Sequence, residues 1–468
     1  MSTDLTAQGG QGVSPALEWR DRKRYLWLLG LIPPTALFLA VGLIAGFNAL
    51  GWSAVSPVWW WIGPLLVYGL LPVLDIFFGP DGQNPPEELM EQLENDKYYR
   101  YCTYAYIPFQ FASLIFACYL WTTSDLSWLG VEGGLGIISK IGVAMSIGVM
   151  GGIGINTAHE LGHKKDSLER WLSKITLAQT FYGHFYIEHN RGHHVRVATP
   201  EDPASAKFGE TFWAFLPRSV WGSLASAWKL ERTRMNRLEH SVWNIRNDVL
   251  NAWLMSVVLW GALTIIFGWE ILPFMVIQAV YGFSLLETVN YLEHYGLMRQ
   301  KLPSGRYVRA APEHSWNSDH ICTNIFLYHL QRHSDHHANP TRRYQDPAEL
   351  RRRPESAQRL REHDHAGVLP SDLAQGDGPQ GDRPLRRRPH QAQRRTRQTG
   401  EGARPSGWEQ AAMSAYRCPV CDYVYDESAG APREGFRPGT AWSDVPDDWP
   451  CPDCGVREKV DFEPAPGR

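Results

Sequence analysis

Val143-Ala144-Met145-Ser146-Ile147-Gly148-Val149-Met150-Gly151-Gly152-Ile153-Gly154-Ile155-Asn156-Thr157-Ala158-His159-Glu160-Leu161-Gly162-His163 is an apolar run that closes on two histidines. Four residues apart on a helix, two side chains project from one face, one turn apart. The run belongs to a longer segment, roughly 134–158. A bilayer core needs about 20 mostly apolar residues per helix, so this segment reads as a span carrying ligating groups at one end. Elsewhere in the chain, five more segments meet the same test: roughly 25–49, 53–78, 103–123, 248–269 and 270–293. The last two need a tight hairpin near Gly268, and Pro33-Pro34 and Pro72 are candidate kinks that a helix bundle tolerates.

Orientation follows from Lys and Arg. Arg20, Arg22, Lys23 and Arg24 precede the first span. The turns after spans one, three and five carry no Lys or Arg; 124–133 offers only Asp125 and Glu132, and the turn near 269 only Glu270. Lys97, Arg100, Lys164, Lys165, Arg170 and the segment 191–247 fall on the other side. Both termini are therefore expected in the cytoplasm, with every histidine segment on that side.

The chain has 468 residues, enough for two or more domains, and a net charge of −3. That balance favours no nucleic-acid partner. The mean hydropathy of −0.30 averages two unlike halves. Apolar runs and most of the 20 Trp crowd the first 300 residues, whereas 345–410 is rich in Arg, Pro, Gly and Asp. Seven cysteines, four of them in CxxC pairs, point to metal in a reducing compartment rather than to a disulfide framework. Residues 1–19 form a polar tail without the apolar core of a signal peptide.

Seven further histidines join the first pair. His189, His193 and His194 repeat the i, i+4 spacing and add a neighbour; His333, His336 and His337 are spaced i, i+3, i+4; His294 stands alone at the end of span six. An octahedral metal takes about six ligands, so nine imidazoles argue for two metals. His159-Glu160-Leu161-Gly162-His163 by itself also fits the HExxH pattern of zinc proteases. The other seven histidines count against it, because catalytic zinc wants about three protein ligands and an open position. Ligating histidines usually donate their second N–H to a carboxylate; Glu160, Glu188, Asp202, Glu293 and Asp335 are candidates, and His184 and His329 lie outside the spacings.

These segments resemble the membrane alkane 1-monooxygenases, within the superfamily of integral-membrane fatty-acid desaturases and hydroxylases. The likeness covers roughly residues 20–345 and is most specific in His159 to Lys164, Glu188 to His194, Asn290 to Leu297 and Leu330 to Ala338. It implies an all-α six-helix membrane domain, a cytoplasmic site of two non-haem irons held by the nine histidines, and terminal hydroxylation of medium-chain n-alkanes.

At the C-terminus, Cys418-Pro-Val-Cys421 and Cys451-Pro-Asp-Cys454 enclose 29 residues. Such spacing suits a zinc ribbon or a mononuclear iron site. Tyr416, Tyr423, Tyr425, Trp442, Trp449 and Phe462 supply an aromatic core, and Asp447 to Gly455 resembles rubredoxin over about 414–462. That resemblance implies a small β-rich domain with one Fe on Cys418, Cys421, Cys451 and Cys454. Asp422, Asp426, Glu427, Asp444, Asp447 and Asp448 make it negative, which suits docking on a basic membrane-domain face.

The domains are thus expected at 20–344 and 414–462, joined by a charged linker at 345–413. From Gln345 to about Ser406 the chain departs from the family pattern; it reads as a disordered tether or as a stretch translated out of frame. The function expected is alkane 1-monooxygenation in the bacterial inner membrane, taking n-alkane and O2. Electrons would come through the fused rubredoxin from an FAD-dependent NAD(P)H rubredoxin reductase. A shape-selective apolar channel would deliver the methyl end, with Trp59, Trp60, Trp61, Phe77, Phe109 and Phe111 as candidate walls. Two other readings stand beside it. One is an acyl desaturase or xylene-type hydroxylase on the same scaffold; the other is a non-catalytic metal- or oxygen-sensing membrane protein.

Overall fold

Six helices carry the apolar runs: α1 (Arg24–Ala49), α2 (Ser56–Phe78), α3 (Lys97–Thr122), α4 (Ile137–Gly162), α7 (Asp248–Phe267) and α8 (Trp269–His294). Between α4 and α7 lie α5 (Ser167–Leu177) and the long α6 (Phe212–Arg237); α9 (Ile321–Phe326) and α10 (His333–Ala338) follow α8. The computed structural model describes residues 21–345 and 415–465, apart from 83, 304, 420–422, 448 and 454–456. The polar tail, most of the charged linker, Cys421 and Cys454 lie outside the described residues.

All six expected spans are present, and each is long and apolar enough to cross a membrane. Large apolar side chains such as Ile76, Ile265 and Ile266 stand exposed on their flanks, as an integral membrane protein requires. Boundaries differ where capping chemistry, rather than hydropathy, sets the end. α3 starts six residues before the apolar run because Asp96 accepts a hydrogen bond from Tyr98 N–H at 2.9 Å, an N-cap. Pro33-Pro34 does not kink a helix interior. It sits in the first α-helical turn, after a 3-10 stretch over Arg24–Leu31, where a missing N–H costs nothing. Pro72 similarly follows a π-helical stretch over Leu65–Leu70. Gly268 makes the expected hairpin, at φ 85°.

α4 is the central span. A Cβ on its Gly152 would stand 2.8 Å from Gly282 O of α8, so only glycine permits this approach. The α4–α8 pairing brings their histidine-bearing ends, His159 and His294, to the same end of the bundle. α5 and α7 are capped at that end by Asp166 and Asn247, which accept from Leu168 N–H and Val249 N–H at 2.9 Å each.

The C-terminal domain is a three-stranded antiparallel sheet in the order β2-β1-β3, with β1 Ala415–Arg417, β2 Val424–Asp426 and β3 Glu463–Ala465. Tyr416 stands opposite Tyr425 on one side and Pro464 on the other. Its core is aromatic: Tyr425 and Trp449 are buried, with Tyr423, Trp442, Phe462 and the unanticipated Phe436 packed on them.

Candidate metal centre

The nine histidines collect at one end of the bundle as two abutting groups. His159, His163, His189, His194 and His336 form one; His193, His294, His333 and His337 form the other, and within each the facing ring nitrogens lie within 4.8 Å of one another. α4 supplies His159 and, at its C-cap, His163; α8 supplies His294, and α10 supplies His333, His336 and His337.

His189 and His193 come from a π-helical turn, Glu188–His193. This turn changes the grouping that i, i+4 spacing suggests. Widened to five residues, it sets His189 against His194, Nε2 to Nε2 at 3.0 Å, and releases His193 to the second group, 3.2 Å from His337. α10 divides its ligating groups in the same manner. His336 faces His159 at 2.8 Å, while His333 and His337 face each other at 2.9 Å.

The donor set fits metal. Nε2 atoms of His159–His336, His163–His189, His189–His194 and His194–His336 approach to 2.8–3.0 Å. The second group repeats this at 2.9–3.2 Å. Around a metal with bonds of about 2.1 Å, neighbouring ligand nitrogens in an octahedral shell stand about 2.9 Å apart. Shared protons alone cannot satisfy so many converging nitrogens. Burial also holds the imidazoles of His163, His189, His194, His333, His336 and His337 well below their usual protonation range, which leaves the neutral form that ligates.

Among the five candidate carboxylates, Asp202 and Glu293 reach a member of these groups. Asp202 accepts from His193 Nδ1 at 2.9 Å and is itself fixed by Ser205 Oγ at 2.6 Å. Glu293 lies 3.3 Å from His333 Nδ1. Glu160 instead pairs with Lys164 at 2.9 Å, Glu188 with Arg196 at 2.5 Å, and Asp335 accepts from Asn339 at 2.9 Å. His184 and His329 belong to neither group. Burial pushes them down to about 4 and about 3, and His329 donates through Nδ1 to Tyr344 O.

A cavity of about 800 Å³ runs between α2, α4 and α8 toward the histidine-bearing ends, lined by Val67, Leu71, Gly152, Ile153, Leu285 and Val289. Polar groups on its wall are Asp75, Asn156, His320, Thr323 and Gln331. None of the aromatic walls expected from sequence lines it. Phe77 and Phe109 are exposed on the outer flank, and Trp59, Trp60, Trp61 and Phe111 pack in the core around Leu114 and Val143. The apolar part of the wall consists of small and aliphatic residues, whose sequence signal is the glycine spacing of the fourth span.

In the small domain, Cys418 and Cys451 are wholly buried in one cluster with Tyr423 and Phe462. The membrane-domain residue Val195, next to His194, packs on the same cluster. Among the described residues, Glu434, Glu458 and Asp461 form ion pairs with the membrane domain. Among the described residues, Glu427 and Asp447 of the anticipated acids instead bond within the small domain, to Trp442 N–H and Lys459.

Residues 139–366 match the fatty acid desaturase family, and 415–462 match rubredoxin. The alkane 1-monooxygenase of Ectopseudomonas oleovorans is 44% identical over 333 residues, 70% of this chain and 78% of that protein. The alkane 1-monooxygenase of Acinetobacter baylyi is 44% identical over 354 residues, 76% and 80% of the two chains. Rubredoxin 3 of Rhodococcus erythropolis is 80% identical over 54 residues, 12% of this chain and 88% of its own. The paired histidine groups are accordingly a diiron site, and the cysteine module an iron–thiolate site. With relatives so similar over most of their length, the chain belongs to the alkane 1-monooxygenases, membrane monooxygenases, and carries a rubredoxin domain of its own.

Proposed function

We propose that the protein hydroxylates the terminal carbon of medium-chain n-alkanes. The net change would be alkane, O2, two electrons and two protons giving 1-alkanol and water. The observation that carries this reading is an apolar cavity between α2, α4 and α8 that reaches Asn156, one turn before His159 of the first histidine group. An alkane offers no hydrogen bond, so position must come from shape. Val67, Leu71, Ile153, Leu285 and Val289 would hold the chain lengthwise. Ile76, on the same wall and 71% exposed, marks an entrance from the bilayer flank.

In this reading all nine histidines hold the two irons, and Cys418, Cys421, Cys451 and Cys454 hold the third. When bound, the diiron pair supplies O2 activation. Asp202 fixes the tautomer and orientation of His193, and Glu293 stands ready to do the same for His333. Residues 20–344 would act as the hydroxylase and 414–462 as the electron carrier, joined by 345–413. An FAD-dependent NAD(P)H rubredoxin reductase would refill the carrier. The Lys- and Arg-rich loops support an orientation in which both termini and the histidine site would face the cytoplasm from the inner membrane.

The test is product analysis. Purified protein with a rubredoxin reductase, NADH and octane should form 1-octanol with matching O2 uptake. Desaturation of an acyl substrate with no octanol would favour the desaturase reading, and absence of substrate-coupled O2 uptake would favour a sensor.

A further inference from the structure

Arg191 lies between His189 and His193 in the π-helical turn, but its guanidinium faces carboxylates. It meets Glu231 Oε1 at 2.5 Å, Asp248 Oδ2 at 3.4 Å and Glu458 Oε1 at 2.6 Å. Glu458 belongs to the rubredoxin domain. Its other oxygen accepts from Arg234 Nε of α6 at 2.7 Å, and Arg234 also reaches Glu231 at 3.4 Å. Lys174 of α5 closes the cluster on Asp248 at 3.1 Å. Two domains are thus joined at one buried group of ion pairs.

The charge balance within this group is informative. The membrane domain contributes three cations, Lys174, Arg191 and Arg234, against two carboxylates, Glu231 and Asp248. Arg170 acts on Lys174 as well, so the excess is at least one positive charge. Glu231 is fully buried and Lys174 nearly so. A buried cation without a partner is costly, and Glu458, itself buried, supplies the missing carboxylate. Around this centre the pairing of signs is uniform. Arg237 meets Asp461 at 2.5 Å and Lys165 meets Glu434 at 2.7 Å, while Arg306 donates to Pro419 O at 3.0 Å. Inside the ring, Val195 packs against the Cys418–Cys451 cluster, and the residue before it is His194 of the five-histidine group.

We propose that Glu458 is a docking latch: by completing the Lys174–Arg191–Arg234–Glu231–Asp248 cluster it seats the rubredoxin domain with its Cys418–Cys451 edge on Val195, and electrons enter the diiron site past Val195 and His194. This rests on the rubredoxin domain being the donor. Each transfer oxidises the thiolate-bound iron by one electron and reduces one histidine-bound iron by one. No bond forms or breaks, and two transfers serve one turnover.

The test uses the full chain as the parent protein, Glu458→Arg, Arg234→Glu and the double variant. Docking is read by zero-length carbodiimide cross-linking of Lys165 to Glu434. Transfer is read by reoxidation of the reduced rubredoxin domain, followed in visible absorbance after mixing with O2 and octane. The same absorbance and a content of three irons show that both domains are folded. Each single variant should lose at least about tenfold in cross-link yield and in reoxidation rate. The double variant restores the net charge but leaves Arg191 facing a cation, so it should recover only part of the loss, to a yield and rate clearly above both single variants. Single variants that cross-link and reoxidise like the parent, or a double variant as impaired as the singles, would overturn the latch. If the parent itself shows no octane-dependent reoxidation, the donor reading and the entry route fail, while the cross-link yields still decide the latch.

Discussion

His294 has no partner at helical spacing in its own segment, yet its Nε2 lies 3.1 Å from that of His333 and it is fully buried. It is the only contribution of α8 to either histidine group, and with three others it makes the smaller one. Losing one of four donors is proportionally worse than losing one of five. His294→Ala should therefore cost activity as heavily as His163→Ala, and should remove iron as well. Metal analysis with Mössbauer spectroscopy is the check; an Ala variant with full iron and near-parent octane turnover would remove His294 from the ligand set. Asp202 makes a second case at this scale. It is buried, accepts from His193 Nδ1, and is braced by Ser205 and Ala204 N–H. Asp202→Asn keeps the shape but changes which tautomer of His193 is favoured, and such partners typically contribute about 10–100-fold in affinity or activity. Iron affinity measured against a chelator should fall within that range.

The π-helical turn Glu188–His193 divides its histidines between two groups, and Gly192 lets the turn close. A Cβ there would stand 2.4 Å from Glu188 Oε2 and 2.5 Å from Arg196 Nη2, inside the ion pair that ties 188 to 196. Gly192→Ala should therefore part that pair and shift the turn. A loss of about 1–3 kcal/mol is expected for such overpacking, together with lower iron content at unchanged expression. This also marks the limit of what the chain reveals by itself. The six spans are legible because apolar length is a one-dimensional property, and the nine histidines because their type is rare in such segments. The assignment of His193 away from His189 is not legible, since it depends on a helix widened locally to five residues per turn. The cavity wall is likewise hidden. Aliphatic residues such as Leu285 and Val289 face the cavity while Phe77 faces outward, and composition does not distinguish the two faces. For that reason composition did not show that the aromatics expected along a channel leave this cavity unlined.

At the scale of the whole molecule, two units of different chemistry meet through charge. The sign of the contact was readable from a basic 191–247 segment and an acidic C-terminal domain. The residues were not, because Glu434, Glu458 and Asp461 are distinguished only by their place on the folded surface. Contact by ion pairs around a small apolar centre, Val195 on the Cys418–Cys451 cluster, leaves each domain with its own core. Each should then survive damage to the other. Cys451 is wholly buried, and its N–H donates to Arg457 O at 2.6 Å. Cys451→Ser would remove one thiolate from the iron site and so the carrier's redox function, without reaching any contact of α1–α8. NADH-driven octane hydroxylation should vanish in this variant while the two histidine-site irons remain. Separately added reduced rubredoxin should restore part of the turnover, less than the fused domain achieves, because it must displace the damaged domain from the Arg191–Arg234 cluster. If the variant hydroxylates octane at the parent rate without added carrier, the fused domain is not the donor, and the histidine site must be reduced from elsewhere.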